Sequence, residues 1–250
     1  MPREEDPGGR PEAASFRSKH AELVGRSPAT HARVAGLLGV AALVTGSFAG
    51  IVAGRLLLRG DAAATARRIL ASESLFRLGL VAGVLMMIAF LLYGIFLHLL
   101  LRRVHERRSL VMLGLVVASV PLYILNQLNL YAVFLLAEDQ KLAEAKLFLD
   151  LHRVGNLIAG IFFGLWLFPL GLLVYKSGFL PRVLGVLLAF GSLGYLVLFA
   201  QAFLFPGSER TLWTNPFLLV THFSELALML WLLVRGVNTG EWDRRTLESA

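Results

Sequence analysis

In a chain of 250 residues, 56% are hydrophobic and only 16% charged, against about 25% charged in soluble domains, so lipid rather than water is its main solvent. The formal net charge of +7 falls between apolar runs instead of gathering on one soluble face, which excludes a nucleic-acid footprint and leaves orientation in a bilayer as the use of that charge. The absence of cysteine excludes disulfides, iron–sulfur clusters and thiolate metal sites.

Residues 1–32 are polar, rich in proline and glycine, and contain no apolar h-region. They read as a disordered basic tail rather than a cleaved signal peptide. Six apolar segments follow, each long enough to span a bilayer: Arg33 to Leu57, Phe76 to Leu101, Leu110 to Ala137, Lys146 to Tyr175, Leu180 to Phe205, and Thr214 to Val234. Lys176-Ser177-Gly178 before Pro181, and Pro206-Gly207-Ser208, mark two of the joins. The predicted fold is therefore an all-α polytopic membrane bundle of six transmembrane helices, with residues 33–235 as the membrane domain and 236–250 as a short tail. Fifteen Lys and Arg residues fall on the side of the two termini and eight on the other, with Arg153 inside a span. The positive-inside rule then makes both termini cytoplasmic.

The first external loop, GDAAATARRILASESLFR, predicts a short Ala-rich helix capped by Asp61 and lying at the interface, with Arg67 and Arg68 near lipid phosphates. Glycine pairs at Gly50/Gly54 and Gly160/Gly164 predict close helix packing. His98 and His105, which share a face at the cytoplasmic end of the second span, read as interface anchors rather than haem ligands, with Arg102 between them.

Polar residues inside the spans carry the functional question. In LFLDLHRVGNLIAGIFFG, His152, Gly155, Asn156, Ala159 and Phe163 share one helical face, while Asp150 and Arg153 are spaced to pair on the opposite flank. Tyr123, Asn126 and Asn129 share a face of the third span just after Pro121, and Thr221, His222 and Glu225 share one in the sixth. With the termini inside, the helical rise puts these sets at roughly 8 to 17 Å below the external end, Tyr123 being deeper and Gln201 of the fifth span shallower. One reading makes the layer a pocket for a small or amphiphilic ligand; the other makes its uncharged members interhelical hydrogen-bond glue. An intramembrane acid such as Glu225 favours the first.

Two His and one carboxylate (His152, His222, Glu225), oriented by Asp150 or Asn156, would also make the ligand set of an intramembrane metal-dependent hydrolase acting on a lipid or acyl substrate, although no HExxH accompanies them. There is no phosphate loop and no complete nucleophile elbow around Ser192. The expected function is non-enzymatic, as sensor, accessory subunit or transporter, with no cofactor. The expected partners are the bilayer, a small or amphiphilic ligand and, compatible with the sequence, a second copy or another subunit.

The stretches GDAAATARRILASESLFRLGLVAG, LFLDLHRVGNLIAGIFFGLWLFPLGLLVYKSGFLPRVLGVLLAFGSLGYL and SELALMLWLLVRGVN resemble the bacterial integral-membrane family catalogued as domain of unknown function 4386, over about Arg33 to Asn238. The resemblance implies a multi-span protein of the bacterial inner membrane with no established activity. By motif it singles out Asp61, Arg77, Asp150, His152, Gly178, Pro181, Arg182, Gly185 and Glu225. One departure is Gly83 in LVAGVLM, where the family pattern carries an acid.

Overall fold

The computed structural model describes residues 28–58, 60–205 and 216–248, and within them the chain forms ten α-helices and no strand. In chain order these are α1 (Pro28–Leu56), α2 (Ala62–Ala71), α3 (Glu73–Leu101), α4 (Glu106–Glu138), α5 (Leu142–Leu165), α6 (Leu167–Ser177), α7 (Arg182–Gly191), α8 (Leu193–Leu204), α9 (Pro216–Val234) and α10 (Thr239–Glu248). Taking α5–α6 and α7–α8 as single runs, six are long and apolar enough to cross a membrane, the architecture that the apolar runs predict and the character of an integral membrane protein. On α3, the exposed residues Leu78, Val81, Leu85, Ile88 and Leu92 recur at three- and four-residue spacing. That unbroken outward apolar stripe suits lipid and not water.

Several boundaries differ from the apolar pattern. Residues 28–32, expected in the tail, already belong to α1, and proline suits its first turn because the amide it lacks has no intrahelical partner there. Residues 1–27, the Pro206-Gly207-Ser208 break and the predicted start at Thr214 lie outside the described residues. The carboxyl tail is not featureless, since α10 docks back on the bundle and Trp242 Nε1 donates to the Leu100 carbonyl at 3.3 Å.

The fourth and fifth spans are each interrupted. Pro169 has no amide to give to the carbonyl of Leu165, where α5 ends. Ser192 Oγ donates back to the Ala189 carbonyl at 2.7 Å, a bond that bends helices, and α8 begins at Leu193. Between these breaks, α6 and α7 form a tight hairpin. Gly178, at φ +77°, caps α6 in the left-handed region, and a Cβ on Gly185 would lie 2.5 Å from the Tyr175 amide nitrogen and 2.7 Å from the Gly171 carbonyl.

Two cores divide the bundle. The larger one, with Leu97, Leu100, Met112, Leu170, Leu188, Leu228 and Leu232, fills the half near the α6–α7 hairpin and α10. The smaller one, with Val52, Ile69, Phe76, Val133, Phe134 and Leu149, lies under α2 at the other end. Asp61 caps α2 as its position predicts, accepting from the Ala64 amide at 2.8 Å, and Thr65 Oγ1 accepts from the Leu58 amide at 2.9 Å. Arg68 is not directed only to lipid: its guanidinium donates to the Arg55 carbonyl at 2.8 Å, closing the end of α1. Where α4 turns into α5, Lys141 donates to Asp139 Oδ2 at 3.0 Å, and that carboxylate holds the ammonium above its usual pKa.

Candidate functional site

Between the two cores the helices leave a cavity of about 900 Å³, near the upper end of small-molecule sites. All of its walls belong to the α2 half of the bundle: the last third of α1, the first half of α3, the Tyr123–Leu130 stretch of α4, the His152–Phe163 stretch of α5, and α8 from Tyr195. Toward the other half it ends at Phe163, whose ring meets Phe90 edge-on at 5.5 Å, with Trp166 packed behind Phe90 at 5.0 Å and against Tyr93 at 6.0 Å. The cavity is thus closed at one end by the larger core.

Small residues create the space. Gly46, Ala49, Gly50 and Ala53 form the α1 wall, and a Cβ on Gly50 or Gly54 would meet nothing within 4 Å. The Gly50/Gly54 pair therefore packs against no described helix, contrary to expectation. Gly164 does pack closely, since its Cβ would stand 2.9 Å from the Ser192 carbonyl.

Of the nine residues that the sequence places in one polar layer, the structure brings Tyr123, His152, Asn156 and Gln201 to the cavity wall. Asn126 and Asn129 do not line it, because Asn126 turns into the contact between α4 and α5. Its Nδ2 donates to the His152 carbonyl at 2.9 Å and to Asn156 Oδ1 at 3.0 Å, and its Oδ1 accepts from Asn129 at 3.0 Å. His152 Nδ1 donates to the Asn126 carbonyl at 3.1 Å, which leaves Nε2 to accept from Asn156 Nδ2 at 3.0 Å. This clasp uses both nitrogens of a neutral imidazole. Gly155 permits it: a Cβ there would fall 2.1 Å from Asn126 Oδ1.

The three residues of the sixth span do not line the cavity either. Thr221 Oγ1 donates to the Gly191 carbonyl beside the α7–α8 break. His222 donates from Nδ1 to the Leu218 carbonyl of its own helix at 2.7 Å, and its ring lies 6.1 Å from that of Tyr195. Glu225 is half-buried and takes part in no hydrogen bond or ion pair among the described residues. It is not among the residues that line the cavity. The alternative metal set of His152, His222 and Glu225 does not assemble, and no three His, Asp or Glu side chains converge as metal ligands among the described residues. Asp150 does not orient His152 either; it pairs with Lys146 at 2.6 Å and more loosely with Arg153 at 3.7 Å.

Gln127, Arg153 and Tyr195 line the cavity without having been singled out as pocket residues. Tyr123 and Gln127 stand together in the wall, and their four-residue spacing is the signal that could have found the pair. Gly83 faces the same place, its Cβ position being 3.4 Å from the Tyr123 hydroxyl and 3.8 Å from Gln127 Nε2. One cavity atom stands out: Gln201 Oε1 is buried and has no hydrogen-bond partner among the described residues. Other positions tied to the resemblance are structural. Arg77 pairs with Glu73 at 2.6 Å and lies 5.4 Å over the Phe134 ring, and Pro181 in extended conformation precedes α7. His98 and His105 lie at the far end, where His98 meets Ser109 at 2.8 Å and His105 caps α4.

Comparison with known proteins adds a family but no activity. The model of a domain of unknown function, DUF4386, matches residues 34–236. An uncharacterized protein of Archaeoglobus fulgidus is 37% identical over 81 residues, which is 32% of this chain and 46% of that protein. The match thus spans about half of the relative's length. No solved structure matches the chain.

Proposed function

The chain belongs to the DUF4386 family, which assigns no activity, and from that premise we propose that it is a non-enzymatic membrane protein that binds a small or amphiphilic molecule in the cavity of the α2 half. The observation that carries this reading is the cavity of about 900 Å³ with mainly apolar walls and a few polar groups, one of them, Gln201, with a buried unpartnered oxygen. Apolar walls with sparse polar groups are the usual composition of a ligand site, and an orphaned buried acceptor costs about 1–3 kcal/mol unless a ligand or water meets it. A cavity closed at one end suits a sensor, or one state of a carrier that alternates between the two sides of a membrane. Tyr123, His152, Asn156 and Gln201 would touch the ligand, joined by Gln127, Arg153 and Tyr195. The excess of Lys and Arg on the side of the termini supports a cytoplasmic location for both ends and an external α2, in the bacterial inner membrane.

Gly50→Trp provides the test, because the position lines the cavity and a Cβ there meets nothing within 4 Å, so a large side chain has open space to enter. Both forms are isolated in discs of native lipid and weighed by native mass spectrometry. Wild type is expected to retain a stoichiometric small molecule that the variant lacks. Identical adducts, or none in either, would contradict the proposal.

A further inference from the structure

The charge that the described residues bring to the cavity is one-sided. Among the described residues, Arg153 is the single Lys, Arg, Asp or Glu in its wall. One turn earlier on α5, Asp150 holds Lys146 at 2.6 Å and reaches Arg153 only at 3.7 Å. Two cations share one carboxylate, so the trio keeps a net positive charge next to the opening.

Gln201 stands at the same level. Gly160 of α5 packs against Tyr195 of the antiparallel α8, with 3.6 Å between the Cβ position and the ring. Six residues further toward α2 on each helix, Gln201 comes level with residue 154. A cation and an amide with a buried unpartnered end therefore share the rim. The deep end is uncharged and largely aromatic: Phe163 lies ten residues beyond Arg153 on α5, roughly 15 Å by helical rise, with the rings of Tyr123 and Tyr195 at 6.3 and 6.1 Å from its own, and Met86 lines the wall from α3.

Resting on the ligand-binding reading above, the geometry points to the class of occupant: a single-chain amphiphilic anion, an acyl chain ending in a carboxylate. Its head lies on the guanidinium of Arg153 and the amide of Gln201, and its tail runs toward Phe163. A carboxylate matches the two-pronged donor face of a guanidinium and balances one charge with one. A phosphomonoester would bring −1.5 to −2 charges and leave the excess unpaired beside apolar walls. An alkylammonium would meet Arg153 as a like charge. Because the two ends of an amide have the same shape, Gln201 turns its NH₂ toward the carboxylate without a change in packing.

The test uses the full chain in discs of neutral phosphatidylcholine, with dansyl-undecanoic acid as probe and its methyl ester as the uncharged control. Wild type should bind the acid about tenfold more tightly than the ester, the effect of one charge-assisted contact, and oleate should displace the acid. Arg153→Gln should bring the acid down to the affinity of the ester, Arg153→Lys should keep a preference for the acid, and Gly50→Trp should weaken both probes. Equal affinities of acid and ester for wild type, a comparison that needs no variant to fold, would overturn the headgroup assignment and leave the cavity standing. Binding of both probes that Gly50→Trp does not touch would instead overturn the cavity itself as the site. Displacement of the acid by phosphatidylglycerol but not by oleate would overturn the single-chain class.

Discussion

Replacing Asn126 by alanine removes the centre of the clasp between α4 and α5. Two interhelical hydrogen bonds, to the His152 carbonyl and to Asn156 Oδ1, and one along α4 from Asn129, disappear together. Side-chain hydrogen bonds between membrane helices average about 0.6 kcal/mol and reach about 1.7, so three of them set the loss at about 2 kcal/mol, with a ceiling of about 5. Gly155→Ala attacks the same contacts from the other side, because its new methyl would occupy the place of Asn126 Oδ1. The two substitutions should therefore fail to add, and the double variant should be little weaker than the worse single one. Reversible unfolding in mixed detergent micelles, followed by helical circular dichroism, measures all four proteins. A change below about 0.5 kcal/mol for Asn126→Ala, or full additivity with Gly155→Ala, would show that the clasp does not hold these helices together.

Glu225 has no hydrogen-bonding or ionic partner among the described residues to lose, and an acid within a span costs up to about 2.5–3.5 kcal/mol on insertion scales. Both Glu225→Gln and Glu225→Leu should thus melt no lower than wild type, and a drop shared by both would disclose a partner that stabilises the acid. Asp61→Ala removes the cap of α2 and should cost about 1 kcal/mol, seen as faster hydrogen exchange confined to residues 62–66; unchanged exchange there would refute the role of the cap. Because the chain has no native cysteine, Asp139→Cys and Arg103→Cys report orientation cleanly. In intact cells a membrane-impermeant maleimide should label the first and spare the second, and the reverse pattern would invert the topology.

The spans were legible because each is an apolar run that only a bilayer-crossing helix explains, and the Asp61 cap was legible because its chemistry is local. The breaks at Trp166 and Ser192 were harder to see, since they depend on which carbonyl loses its amide partner, and hydropathy does not register that. The polar layer was legible as a set of positions and not as a set of contacts. A helical wheel places Asn126 and Tyr123 on one face, yet α5 takes the first into a clasp while the second reaches the cavity. The cavity itself is written in what the wall lacks. Gly50 and Gly54 have the spacing of a packing pair, and only the arrangement of the neighbouring helices shows that nothing packs there.

The most direct test is a density map of the protein in native lipid. Ligand binding in the α2 half requires elongated density between α1, α5 and α8, with its polar end within hydrogen-bonding distance of Arg153 or Gln201 and its tail reaching Phe163. A cavity that is dry and closed, with α8 collapsed onto α1 over Gly46 and Gly50, would contradict it.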